Sequence, residues 1–156
     1  MSYSRLGVLE DREAVAQVTR TYARSFDTGD WKTVRECFSQ DAVILGMRGP
    51  RLADDFVNNS ARLASEYTGT MHVITNQQVV LLGDRAHLES QLTAYHWKGT
   101  PPGTPHSADL IGGAFYRDDL IRQDGRWVIY FRHLKHLWGI GPFPDNMSSA
   151  PERDRG

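Results

Sequence analysis

Cysteine is almost missing from this 156-residue chain: Cys37 stands alone, so no internal disulfide is available and an apolar core must hold the fold. A lone thiol suits a reducing compartment, and a cytoplasmic setting is expected. Within Val34-Arg35-Glu36-Cys37-Phe38 it reads as a small buried hydrophobe. Long apolar runs are lacking too, so nothing reaches the length that spans a bilayer and no membrane partner is expected. Arg5, Glu10, Asp11, Arg12, Glu13 and Arg20 break up the first twenty residues and leave no apolar signal core. Charge of one sign is not in excess. The net charge of −1 gives no basic footprint for nucleic acid. A phosphate-cradling loop is absent, because Gly112-Gly113 sits inside a strand pattern and not before a helix. No nucleophilic Ser or Cys stands beside a recognisable base.

What is present is enough apolar and aromatic residue for a single folded domain, expected over residues 1–140. The Gly-, Pro-, Ser- and charge-rich residues 141–156 are expected to form a loose tail. No internal repeat or domain linker interrupts the chain. Val15, Val18, Tyr22 and Phe26 recur at helical spacing, which predicts a helix from about Glu10 to Ser25. Thr28-Gly29-Asp30 breaks it, and Asp30 can cap a second short helix containing Trp31, Val34 and Phe38. Ala42-Val43-Ile44-Leu45 reads as a strand. Gly49-Pro50 then turns the chain into a third helix with the stripe Leu52, Phe56, Leu63 and Tyr67.

From Thr70 onward the pattern is that of strands. Residues 86–97 alternate, with Ala86, Leu88, Ser90, Leu92, Ala94 and His96 on one face. Residues 98–109 carry Pro101, Pro102, Gly103 and Pro105 and read as a loop. A strand from Leu110 to Arg122, the Asp124-Gly125 hairpin turn and a last strand follow, the last with Trp127, Ile129 and Phe131 on one face. This order predicts an α+β fold: three N-terminal helices against a strongly curved antiparallel sheet, closing a cone with an apolar interior for a small hydrophobic ligand.

Two residues carry the chemistry that such an interior could host. Asp27 ends the first helix and His72 sits in the strand Thr70-Met71-His72-Val73-Ile74-Thr75. A carboxylate holding one ring nitrogen fixes the tautomer and leaves the other nitrogen free to move a proton. His96 lies on the interior face of its strand and is a second candidate. Tyr116 and Asp118 could point into the cone with Gly112 and Ala114, or Asp118 could form a paired charge at the sheet edge. His133 and His136 read as surface residues, as do His87 and His106. Two histidines and a carboxylate also suit a facial triad, but no tight His-x-His or His-x-x-x-His ligand motif is present, and no metal is expected.

The stretch Ile111-Gly112-Gly113-Ala114-Phe115-Tyr116-Arg117-Asp118, followed by Asp124-Gly125-Arg126-Trp127, resembles the SnoaL-like branch of the NTF2-like superfamily. The resemblance starts at Phe26-Asp27-Thr28-Gly29-Asp30-Trp31 and runs to about Trp138. It implies the cone fold, which hosts dehydratases, isomerases, cyclases, epoxide hydrolases and non-catalytic subunits. Asp27, His72 and His96 are similar in place to the aspartate and two histidines of the scytalone dehydratase family, with Phe26 where that family has a tyrosine. The Gly112–Asp118 stretch, Met71-His72 and Tyr22 are similar to features of the bile-acid 7α-dehydratase family. That family's second acidic residue has no clear counterpart, and Lys135 and His136 stand nearest its C-terminal arginine. The resemblance implies a cofactor-independent lyase of the dehydratase type, acting on a hydrophobic polycyclic or aromatic alcohol. Asp27, His72, His96 and Tyr22 would be its catalytic residues, and Phe26, Ala114, Tyr116 and Asp118 would line the substrate site. An isomerase or polyketide cyclase using the same dyad, or a ligand-binding protein without chemistry, is the alternative. The outward sheet face carries Tyr95, Trp97 and Tyr130, from which a homo-oligomer is expected, a trimer ahead of a dimer.

Overall fold

A computed structural model describes residues 5–142. Most of the expected tail, from residue 143 on, lies outside the described residues. Helix α1 spans Arg5–Thr28, α2 Trp31–Glu36 and α3 Ala53–Ala64. The strands are β1 (Phe38–Gly46), β2 (Gly49–Leu52), β3 (Gly69–Leu82), β4 (Arg85–Trp97), β5 (Leu110–Gln123) and β6 (Arg126–Ile140). They form one six-stranded sheet in the order β2-β1-β6-β5-β4-β3. All neighbours are antiparallel except β1 and β6, which run parallel. The expected purely antiparallel sheet is therefore corrected to a mixed one. The α+β cone itself is the fold, with α1 laid against β3 and α3 against β1.

Several element boundaries differ from the sequence reading for local reasons. Asp30 caps α2, its side chain accepting the Thr33 backbone N–H, but the helix ends at Glu36 and Phe38 opens β1. Gly49 and Pro50 belong to the short strand β2, paired with Gly46 and Leu45, and α3 starts only after Leu52. Tyr67 lies beyond that helix. The Asp124-Gly125 turn is as expected, with φ of 51° and 75°, the left-handed pair that joins twisted strands tightly.

Bulges decide where side chains point. In β3 the register shifts between Thr75 and Gln78, with Asn76 at φ 49°. In β6 it shifts opposite Asp119 and Leu120, leaving Tyr130 as the extra residue, and again opposite Gly113 and Ala114, leaving Leu137. Trp127 and Ile129 point inward, but past Tyr130 the inward set becomes Arg132, Leu134 and His136, so Phe131 does not share the face of Ile129. The core between helices and sheet is built on Val15, Tyr22, Val34, Ile44, Leu88 and Leu120. A Cβ on Gly113 would run into the indole of Trp138, and one on Gly69 into that of Trp97. Glycine at these places lets each indole lie flat across a neighbouring strand.

Candidate active site

The inner face of the sheet and helices α1 and α3 enclose a cavity of about 460 Å³. That volume suits one small organic molecule. Its wall is mainly apolar, with Phe26, Phe56, Leu63, Leu92, Leu110 and Leu134, and carries the imidazoles of His72, His96 and His136.

The last turn of α1 brings Asp27 against β3, where it grips His72 twice. Asp27 Oδ1 lies 2.6 Å from His72 Nδ1, and Oδ2 accepts the His72 backbone N–H at 2.7 Å. Thr70 donates its hydroxyl to Oδ1 at 2.9 Å. Strand alternation explains the motif: Thr70 and His72 share a face, two residues apart, so one carboxylate reaches both. An ionised carboxylate only accepts, so Nδ1 carries a proton, and in the neutral ring Nε2 keeps its lone pair. Burial alone would raise the Asp27 carboxyl, but the bonds from the His72 ring and backbone and from Thr70 overcome it and hold the carboxyl below its usual range. The His72 side chain is 5% exposed and Asp27 20%, so the pair stands behind the cavity wall with the ring forming part of that wall.

The ring of His96 stands edge-on to His72 with centroids 5.6 Å apart, and that of Tyr67 lies 5.1 Å from His96. Phe26 packs on the other side of His72 at 4.4 Å. Burial, reinforced by His72 and partly opposed by Asp27, pushes His96 down to about 4. At neutral pH its imidazole is uncharged. Its buried Nδ1 has no hydrogen-bond partner among the described residues.

Of the other residues named from sequence, Tyr22, Phe26, Ala114 and Tyr116 line the cavity. Tyr22 and Tyr116 pack edge to face with ring centres 5.8 Å apart. Burial raises both phenols, with Arg132 pulling the other way, so both stay protonated. Asp118 is a correction. It is neither on the cavity wall nor at the sheet edge, but fully buried, accepting from Arg132 Nε at 2.7 Å, Arg132 Nη2 at 2.8 Å and Thr19 at 3.1 Å. The guanidinium of Arg132 in turn lies 3.9 Å from the Tyr116 ring centre and 4.3 Å from that of Tyr22. His136 is a second correction, for it lies on the cavity wall, while His87 pairs with Asp119 at the surface. Both His136 and Arg132 owe their inward direction to the Tyr130 bulge, which simple alternation along β6 does not reveal.

Residues 7–133 match the family model for the SnoaL-like domain. The chain belongs to the SnoaL-like family. It is 26% identical over 136 residues to terrestric acid biosynthesis cluster protein E of Penicillium crustosum, covering 85% of this chain and 87% of that one. Among solved structures it is similar to a putative scytalone dehydratase from Novosphingobium aromaticivorans, with a TM-score of 0.79 and 18% identity over 95% of this chain and 96% of the other. It is also similar to hexachlorocyclohexane dehydrochlorinase LinA-type3 from Novosphingobium barchaimii, at a TM-score of 0.70 and 18% identity over 90% and 99% of the chains. The last two likenesses establish the SnoaL-like cone as the fold. Among the described residues no group of three His, Cys, Asp or Glu side chains is set to hold a metal ion. No helix among them is long and apolar enough to cross a membrane.

Proposed function

We propose that this SnoaL-like protein is a cofactor-independent lyase that eliminates water from a hydrophobic polycyclic or aromatic alcohol. The observation that carries the reading is His72, held by Asp27 through its ring Nδ1 and through its backbone N–H, with the imidazole on the wall of an apolar cavity. His72 takes the proton from the carbon beside a carbonyl, and Asp27 stabilises the imidazolium that forms. The freed electron pair becomes the new carbon–carbon double bond as the carbon–oxygen bond breaks. The proton taken by His72 is then returned to the departing hydroxyl, so water leaves and the dyad is restored.

His96 is uncharged at neutral pH, so it serves as a hydrogen-bond donor to the enolate oxygen and not as an imidazolium acid. Tyr22 is the second donor, with Tyr116, Phe26 and Ala114 shaping the wall. A neighbour named as a scytalone dehydratase and another named as a dehydrochlorinase support elimination chemistry, and a relative named for a biosynthesis cluster supports a small-molecule substrate. An isomerase or cyclase would need the same dyad without a leaving group. Incubation of a cyclic β-hydroxyketone in D₂O separates the readings. Deuterium uptake with water loss supports the lyase, uptake without loss supports an isomerase or cyclase, and neither leaves a binding protein.

The reading extends to assembly and setting. Met71, Tyr95, Ile111 and Ile140 stand side by side across β3, β4, β5 and β6 on the outward face. Met71 is 47% and Ile140 65% exposed. This apolar row supports a homo-oligomer, a trimer ahead of a dimer, with Tyr95 and Trp97 in the interface. Tyr130, on β6, lies under Arg85, at the end of β4 away from Tyr95 and Trp97, and fits that interface less well. The free thiol of Cys37 supports a cytoplasmic setting.

A further inference from the structure

We infer that Lys98 is a specificity residue that receives an anionic group of the substrate, so that the aromatic or polycyclic alcohol also carries an acid group. The inference rests on the cavity being the substrate site, as proposed above. Of the described residues on the cavity wall only Glu66 and Lys98 carry a fixed charge. Glu66 is already matched, with Arg62 3.5 Å away on α3. Lys98 makes no ion pair among the described residues, and its ammonium lies over the ring of Tyr67 at 5.2 Å. The nearby carboxylate of Asp109 does not serve it, being taken up by the backbone N–H groups of Lys98 and His106 at 2.8 and 2.9 Å.

The position is built, not incidental. The Lys98 backbone is fastened at both ends, its N–H to Asp109 and its carbonyl to the Thr68 hydroxyl at 3.0 Å. His96, near the end of β4, and Lys98, just past it, both line the cavity. The rings of His72, His96 and Tyr67 then form a continuous wall from the proton-transfer centre to the ammonium, with 5.6 and 5.1 Å between successive rings and 5.2 Å from Tyr67 to Lys98. A flat ligand lying on that wall would place its reacting carbon at His72 and a carboxylate or similar anion at Lys98. An unmatched ammonium at the mouth of an apolar pocket gains from such a partner, because a charge-assisted bond there is screened less than at an open surface.

The probe pair 8-anilinonaphthalene-1-sulfonate and N-phenyl-1-naphthylamine tests this, since the two differ in the sulfonate. Fluorescence titration of the full chain is expected to show the anionic probe bound roughly tenfold more weakly by Lys98→Gln than by the native protein. The neutral probe is expected to bind both equally, which also reports an intact cavity, and Lys98→Arg is expected to keep most of the anion preference. Equal binding of the sulfonate by the native protein and Lys98→Gln, parallel weakening of both probes, or no binding of the sulfonate by the native protein would overturn the inference. The readout is binding alone. Loss of the anion preference in Lys98→Gln would uphold the subsite even if the D₂O experiment found no chemistry.

Discussion

Asp27 holds His72 by its ring and by its backbone at once, at 2.6 and 2.7 Å, so the imidazole can neither rotate nor slide along β3 without losing the carboxylate. A residue clamped in this way acts as one unit with its clamp. His72→Ala and Asp27→Asn are each expected to lower the rate of proton exchange or elimination by at least ~10²-fold. The double variant is expected to be little worse than either single one. Rates measured on all three variants that multiply instead would mean the residues act separately.

The contact between Asp27 and His72 was legible in the sequence because it depends on two short-range facts, a helix whose last turn carries Asp27 and a strand in which residues 70 and 72 share a face. The interior face of β4 was legible for the same reason: Ala86, Leu88, Ser90, Leu92 and Ala94 are all buried. What alternation cannot carry is a change of parity. The extra residue at Tyr130 turns Arg132, Leu134 and His136 inward, so His136 read as surface and Arg132 was not singled out. Asp118 was misplaced because its partner lies across the β5–β6 hairpin beyond that bulge. An Arg on β6 at the distance that faces Asp118 is the one signal that could have located the pair. The parallel β1–β6 pairing was hidden because the crossing depends on long-range closure of the sheet, which local pattern does not encode.

The Asp118–Arg132 pair is wholly buried, both side chains 0% exposed. Burial alone would lower the Arg132 guanidinium, but Asp118 more than offsets this and holds it charged. Removing one partner strands a charge. Asp118→Asn is expected to cost on the order of 3–5 kcal/mol in urea or thermal unfolding. Replacing both, Asp118→Leu with Arg132→Met, is expected to recover most of that loss, since an apolar pair leaves no unpaired charge. A single replacement costing less than about 1 kcal/mol would show that the pair does not hold the core together.

His96 gives stability a pH dependence. Its folded value of about 4 lies below the ordinary 6.5, so the unfolded chain binds the proton more readily. Stability is therefore unaffected by this group above pH 6.5 and falls as pH drops from 6.5 towards 4, by a few kcal/mol in all. Asp27, held low, adds its own loss only below the ordinary carboxylate range. His96→Gln is expected to flatten the unfolding midpoint between pH 6.5 and 4 and to leave the steeper acid limb in place. An unchanged slope in that window would assign the dependence to other groups.

Activity is expected to survive exhaustive chelation. Both Asp27 oxygens are occupied by hydrogen bonds from Thr70 and His72, and His72 Nδ1 is turned to that carboxylate, so Nε2 is the one ligand atom the dyad leaves open. Dialysis against EDTA followed by the D₂O assay checks this. Loss of exchange that Zn²⁺ or Fe²⁺ restores would replace the acid–base reading with a metal one.

The outward sheet face sets the last expectation. Met71, Tyr95, Ile111 and Ile140 form a row across four strands, and Val73, Thr93, Gly113 and Trp138 form the next. Such a face is apolar over more of its width than a monomer keeps in water, and Gly113 lets the Trp138 indole lie flat where a side chain would otherwise stand up. A flat, four-strand apolar surface buries well against a copy of itself about a closed axis. Light scattering at micromolar concentration is expected to give the mass of three chains of 17.7 kDa each. Ile111→Asp, placed in the middle of the row, is expected to shift that mass to a single chain while keeping the helical and strand content. A monomer mass for the native protein would refute the interface. A dimer mass would keep the buried face and overturn only the three-fold symmetry, and an Ile111→Asp variant that stays assembled would move the interface elsewhere.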